Sequence, residues 1–463
     1  MASLSPLDAT FLSLESSKDH LNIGLVGVFD PSTSPEGWSY ERGRELLASR
    51  LHRMPVLRQR LAHVPFGLNR PLWADDERFD LDAHLHRAAL PTPGSIRELA
   101  ALAADVISRP LDLDRPLWEL WTVEGLQGGK VAYVLKSHHA ALDGLALAEL
   151  GLHLTDTDPE PAPPDEPGAA GEWQPAPPPS LARRSTHAAR GLLHEPLAAA
   201  RMTAAAVRSA GRAVRAPVES STRVLRAPRT PFNGCISPRR TVAFSSLALS
   251  SLRSVQQATD TTMNDVVLAM CAGALRRLLE DEDAVPDRPL LALVPRSVRS
   301  EDDPQDRGNR LVPMLVAIPA HLDEPTEQLE AASAAARTAK QRAEDGDRSP
   351  WLRLSELAVP GLARPLSRFY TNQRLADHHP PLMNLTISNV PGPPVTLYSA
   401  GARLEATFPM GPVYEGNGLN ITVTSYVDAL QVGVVACPDR VPDPWGLLHR
   451  LEDSLNGLVK ATT

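Results

Sequence analysis

From Asp158 to Ser180 the chain reads DPEPAPPDEPGAAGEWQPAPPPS, a run containing nine prolines. Proline has no backbone N–H, so such a run gives no donors to a sheet ladder and cannot occupy a helix interior. It reads as an exposed linker, and it obliges the chain to fold as separate blocks on either side. With 463 residues, 43% of them hydrophobic and 22% charged, there is enough apolar side chain for two or three blocks with cores of their own. The expected organisation is a first domain over residues 1–157, a connecting region over 158–229 and a second domain over 230–463.

Both blocks mix the two periodicities. In the first, residues 131–136 (Val-Ala-Tyr-Val-Leu-Lys) are dense in β-formers and predict a strand, while 37–57 and 95–107 space their apolar residues as helices do. In the second, Thr262-Met263-Asn264-Asp265 leads into an apolar-faced helix over 266–279. Strands are expected at 290–294, 311–318, 385–388 and 419–426, the last forming a hairpin with 430–435. The fold class is therefore α/β or α+β, with a mixed sheet and helices in each half. The connector over 181–229 is Ala-rich, with ten arginines against two glutamates and neither lysine nor aspartate, for a local charge of +8. It reads as solvated helix joining the domains, as a basic element resting on anionic lipid, or as both; each surface cation near such a lipid is worth about 1 kcal/mol.

Composition removes several classes. A net charge of −8 lacks the positive field expected of a nucleic-acid binder. Cys235, Cys271 and Cys437 are odd in number and far apart, which fits neither a disulfide framework nor a cysteine-rich metal site. No run approaches the roughly 18 apolar residues of a membrane span, and the first residues carry no secretion-signal pattern, so a cytoplasmic protein is expected. Phosphate-loop, dinucleotide, serine-elbow and zinc-helix signatures are missing.

What remains is Lys136-Ser137-His138-His139-Ala140-Ala141-Leu142-Asp143-Gly144, directly after the 131–135 strand. An HHxxxDG string should arise by chance in about one chain in a thousand of this composition. A neutral imidazole at a strand end can take a proton from a hydroxyl or amine as it attacks an acyl carbon, a role worth about 10² to 10⁴ in rate. One histidine suffices, and adjacent strand residues face opposite ways, so His138 and His139 cannot both face one pocket. Asp143 can hold the turn or meet an arginine, and Gly144 lets the backbone pass where a Cβ would clash. Two other readings stay open: a metal on His139 and Asp143, with Glu149 and His153 as the nearest further ligands, and plain core histidines.

HHxxxDG after a strand, in a chain of two mixed halves, resembles the coenzyme A-dependent acyltransferases related to chloramphenicol acetyltransferase and peptide-synthetase condensation domains. Further strings are similar to the bacterial wax ester synthase/diacylglycerol acyltransferase family. In the first half these are Pro6-Leu7-Asp8-Ala9, Phe11-Leu12, Pro71-Leu72-Trp73, Phe79-Asp80-Leu81 with His84, and Arg115-Pro116-Leu117-Trp118-Glu119. In the second they are Asn264-Asp265, Gly308-Asn309-Arg310, Ser388-Asn389-Val390-Pro391-Gly392-Pro393 and Gly418-Leu419-Asn420-Ile421. One departure is Thr407-Phe408-Pro409-Met410-Gly411-Pro412, where a small hydroxyl residue is expected near Met410.

The resemblance implies two chloramphenicol-acetyltransferase-like domains with a channel at their interface, acyl-CoA entering on one side and a lipid acceptor on the other. It implies His139 as general base, with His138 supporting, Asp143 as structural organiser and Gly144 beside them; Arg296 or Arg299 is expected to reach Asp143. A thioester is already activated, so direct attack by the acceptor hydroxyl needs no covalent intermediate, no metal and no cofactor beyond acyl-CoA as substrate. Asn264, Asp265 and Asn420 are candidate substrate-binding residues. Thr262 and Asp265 equally have capping-box spacing, and Asn420, Thr422 and Thr424 could line the channel or face water. The expected activity is esterification of diacylglycerol, and of fatty alcohols to wax esters, by a cytoplasmic protein held peripherally at a membrane or lipid droplet, with no nucleic-acid partner. A condensation-type acyltransferase acting on carrier-bound substrates and a non-catalytic lipid-binding protein are the alternatives.

Overall fold

The computed structural model describes residues 3–160, 173–190, 227–297, 311–344 and 360–462. Part of the proline linker, most of the basic connector, Arg299 and Gly308-Asn309-Arg310 lie outside the described residues.

Two six-stranded sheets carry the fold. The first contains β1 (Asn22–Asp30), β4 (Leu85–Ala89), β5 (Trp118–Glu124), β6 (Val131–His138), β12 (Tyr398–Ser399) and β13 (Ala402–Met410), ordered β12-β13-β1-β6-β5-β4. The second contains β8 (Thr241–Ala248), β9 (Leu290–Ser297), β10 (Leu311–Ile318), β11 (Leu385–Val390), β15 (Leu419–Tyr426) and β16 (Ala429–Ala436), ordered β10-β9-β11-β15-β16-β8. Both are mixed: β4 runs parallel to β5, and β11 runs parallel to β9 and β15. Two short ribbons pair β2 (Gln59–Ala62) with β3 (Leu72–Asp75) and β7 (Asn233–Gly234) with β14 (Gly416–Asn417). The helices are α1 (Pro6–Leu14), α2 (Tyr40–Arg50), α3 (Ile96–Ser108), α4 (Gly144–His153), α5 (181–190), α6 (Leu249–Thr259), α7 (Met263–Glu280), α8 (Pro325–Glu344), α9 (Pro360–Asn372) and α10 (Pro444–Thr462).

Apolar periodicity explains where the helices lie. Ser95 and Glu98 form a capping box that starts α3, whose Leu99, Ala103, Val106 and Ile107 are buried against Val26, Val123 and Val134 of the first sheet. That core runs on into Phe244 and Val435 of the second sheet, so α3 belongs to the junction. Helix α7 is buried nearly all round and packs with α8 and α10 behind the second sheet. The 37–57 helical pattern yields a shorter α2, and two 3-10 turns follow at Leu51–Arg53 and Pro55–Arg58. Pro55 cannot donate to the preceding turn, which ends the α-helix early.

The sheets meet through β13. This strand lies in the second half of the sequence, yet pairs with β1 of the first sheet, Phe408 opposite Val26. Its other side rests on β15 and β16. A Cβ at Gly433 on β16 would come within 1.8 Å of the Pro409 carbonyl oxygen, so the close approach of the sheets requires glycine there.

Candidate active site

Strand β6 ends at His138, and the chain turns through His139-Ala140-Ala141-Leu142 before α4. The Asp143 carboxylate closes that turn by accepting the Ala146 N–H at 2.8 Å, capping α4. The His139 N–H donates to Leu21 O at 2.9 Å, fixing the residue against the start of β1. The residue is 7% exposed, and its imidazole stacks on Phe11 of α1, ring centroids 4.2 Å apart and planes 25° from parallel. Burial holds its pKa below the usual histidine value, with the Asp143 charge opposing. The ring is therefore neutral, and basic, at pH 7.

His138 points the other way and is fully buried. Its Nδ1 accepts the Ala140 N–H at 3.0 Å, and burial pushes its pKa down to about 4. It braces the turn from behind.

His139 lines a cavity of about 590 Å³ between the two sheets. Helix α1 (Leu7, Phe11, Leu14), the start of α4, the first turn of α7, α8 and strand β15 all contribute to its wall. Gly144, Asn264, Asp265 and Asn420 line the same space, whereas His138 and Asp143 lie outside it. A Cβ at Gly144 would sit 3.3 Å from Val390 Cγ2, so the glycine keeps α4 close to the Ser388–Pro393 segment.

The polar groups in the wall differ in what they have left to offer. Thr262 Oγ1 accepts the Asp265 N–H at 3.2 Å and the Thr262 N–H donates to Asp265 Oδ2 at 2.9 Å, a complete capping box. Ser333 Oγ also donates to that carboxylate at 3.2 Å, and Arg337 donates to Ser333 Oγ at 2.8 Å. Asp265 is thus occupied in building α7. The Asn264 amide makes no hydrogen bond among the described residues and remains available to a ligand. Asn420 donates to Pro412 O at 2.8 Å and accepts from Thr422 Oγ1 at 2.7 Å, which pins the 410–412 loop over the cavity. Met410, where a hydroxyl residue was expected, is buried and lines the wall. Arg296 pairs with Glu344 at 3.1 Å, not with Asp143, because the end of β9 faces the end of α8.

Three features were not read from the sequence. Phe11 belongs to a family string in the sequence, but only the fold makes it the histidine's stacking partner. Arg337 and Lys340 place cations in the wall from α8. A second, smaller cavity of about 110 Å³ lies between β1, β6, α2 and α4, and Leu25, Ala148 and Thr424 line both cavities. No grouping of three or more His, Cys, Asp or Glu suited to a metal ion occurs among the described residues.

Known proteins resemble this chain in sequence and in architecture. The sequence pattern of the wax ester synthase/diacylglycerol acyltransferase catalytic domain matches residues 4–267, and that of the family's C-terminal domain matches residues 307–459. A protein of Mycobacterium tuberculosis H37Rv, designated a diacylglycerol O-acyltransferase, is 35% identical over 473 aligned residues, covering 100% of this chain and 91% of the relative. The wax ester synthase/diacylglycerol acyltransferase of Marinobacter aquaeolei VT8 superposes with a TM-score of 0.70 at 28% identity, covering 100% of both chains. The starter condensation domain of rhizomide synthetase shares the fold at 14% identity, TM-score 0.59, over 100% of this chain and 95% of that one. The chain belongs to the wax ester synthase/diacylglycerol acyltransferase family.

Proposed function

We propose that the protein transfers a long acyl chain from acyl-CoA to the hydroxyl of diacylglycerol, and of fatty alcohols, with His139 as general base. The observation that carries this reading is a buried, neutral imidazole in the wall of a large, mostly apolar cavity between the two sheets. His139 accepts the hydroxyl proton as the oxygen attacks the thioester carbonyl carbon. The C–S bond then breaks, and the imidazolium returns the proton to the departing thiolate, so ester and free CoA thiol leave and the histidine is regenerated.

The remaining roles follow from position. Asp143 and His138 hold the turn that aims His139, and Gly144 keeps α4 close. Asn264 offers its amide to the acceptor or the developing oxyanion, and Asn420 shapes the 410–412 wall. Arg337 and Lys340 are cations suited to the CoA phosphates. The second cavity takes the far end of an alkyl chain. A lipid acceptor places the enzyme peripherally on a membrane or droplet surface in the cytoplasm; no helix among the described residues is long and apolar enough to cross a membrane.

The test is labelled acyl transfer from palmitoyl-CoA to diacylglycerol and to hexadecanol. Wild type should form ester, and His139→Ala should lose at least about a hundredfold in rate with its unfolding transition unchanged. Equal product from both proteins would remove the assignment.

A further inference from the structure

Helix α9 leaves the side chains of Leu366 and Phe369 on the outside of the fold. Ser367, Tyr370 and Thr371 turn toward the protein: Thr371 is 2% exposed, and Ser367 Oγ donates to Leu14 O of α1 at 3.2 Å. Leu366 and Phe369, three residues apart and so on one face, are 63% and 58% exposed. Helix α3 does the reverse, burying Leu99 and Val106. Water disfavours such an outward apolar face, so the arrangement implies an apolar neighbour.

Two further observations say what kind of neighbour. The 3-10 turn Pro65–Gly67 packs beside α9 and holds Phe66 92% exposed, with φ of 57° in the left-handed region that bulky residues avoid. On α9 itself, Arg364 and Arg368 are exposed one helical turn apart, and neither meets a carboxylate among the described residues. Outward aromatic and aliphatic side chains bordered by unpaired arginines match an anionic lipid surface in both polarity and charge. The place fits as well: α9 rests on α1, whose Leu7, Phe11 and Leu14 line the cavity and whose Phe11 stacks on His139.

We propose that α9 and the Phe66 turn dock the protein onto an anionic phospholipid surface, so that the acceptor passes along α1 into the cavity without crossing water. This rests on the reading of the acceptor as a membrane lipid. Flotation with phosphatidylcholine vesicles, with and without phosphatidylglycerol, tests it. Wild type should float with the anionic vesicles and detach in high salt. Leu366→Ser/Phe369→Ser and Phe66→Asn, the latter suited to positive φ, should each lower the bound fraction at least about tenfold. Arg364→Gln/Arg368→Gln should abolish the preference for anionic vesicles. Acyl transfer to hexanol dissolved in water should be unchanged in all three, while transfer to vesicle-borne diacylglycerol falls. Variants that float like wild type overturn the proposal. So does a wild-type dimer on size-exclusion chromatography that the leucine–phenylalanine variant dissociates, because a second copy would then be what covers the face. Normal flotation with no transfer to any acceptor would instead count against the catalytic reading and leave the docking face standing.

Discussion

His139 depends on its neighbours for its state of protonation. The Phe11 ring excludes water from one face of the imidazole, and burial lowers its pKa. The acid limb of the kcat/KM profile should accordingly fall below about pH 6.5, the unperturbed histidine value. Phe11→Ser admits water and should move that limb upward while lowering the maximal rate. A profile unaltered by the substitution would show that the stacking does not set the base. His138 makes a separate prediction. Its folded pKa of about 4 lies below the unfolded value, so the unfolded chain binds the extra proton first. The stability this contributes is present above about pH 6.5 and lost as the pH falls toward 4. His138→Asn keeps an acceptor for the Ala140 N–H but cannot titrate. The stability difference between wild type and this variant should therefore shrink by about 2 kcal/mol between pH 7 and pH 4.5, as read by denaturant unfolding. An unchanged difference would mean that His138 is not held neutral by burial.

At the level of elements, α7 separates building from binding within two adjacent residues. Asp265 caps the helix and anchors Ser333, so Asp265→Ala should cost about 2 kcal/mol of stability. Asn264 makes no hydrogen bond among the described residues, so Asn264→Ala should leave the unfolding midpoint in place and lower kcat/KM. Thermal unfolding and initial rates on the same preparations check both, and the opposite pattern would exchange the two roles. These elements also show what sequence patterns carry. Strands β10 and β15 and the β15–β16 hairpin stand where alternation of β-formers puts them, and the Thr262–Asp265 spacing marks the start of α7. Local signals of this kind need no knowledge of the rest of the chain. The pairing of β13 with β1 joins residues nearly four hundred positions apart, and no periodicity within either strand specifies it. Helix α9 was illegible for a different reason: amphipathicity gives a helix its stripe, but the direction in which the stripe points depends on what covers it. Among the site residues, the HHxxxDG string located the turn. The stacking of Phe11 on His139 and the cations of α8 arise from packing across elements.

Over the whole molecule, the cavity exists because two sheets meet along one strand and are held there. Arg240, just before β8, donates its guanidinium to Lys18 O at 2.8 Å and its backbone N–H to Ser108 Oγ at 3.1 Å, and faces Asp19 at 3.5 Å. These contacts tie the second sheet to the first half of the chain beside the His139 turn. With the sheets fixed, the larger cavity beside His139 lies between them and the smaller apolar one lies between β1, β6, α2 and α4, and Ala148 lines both. A long alkyl chain whose reactive end lies at His139 can extend past Ala148 only while that side chain is small. Ala148→Phe should close the passage and leave the imidazole, the α7 turn and the α8 cations in place. Palmitoyl-CoA and octanoyl-CoA compared with one acceptor, and hexadecanol and hexanol compared with one donor, read the effect. For one of the two substrates, the ratio of long-chain to short-chain kcat/KM should fall at least about tenfold, a transition-state difference of about 1.4 kcal/mol. The substrate that shows the fall is the one whose chain uses the second cavity. A substitution that slows long and short chains equally for both substrates would mean that the smaller space is a packing void with no part in holding lipid.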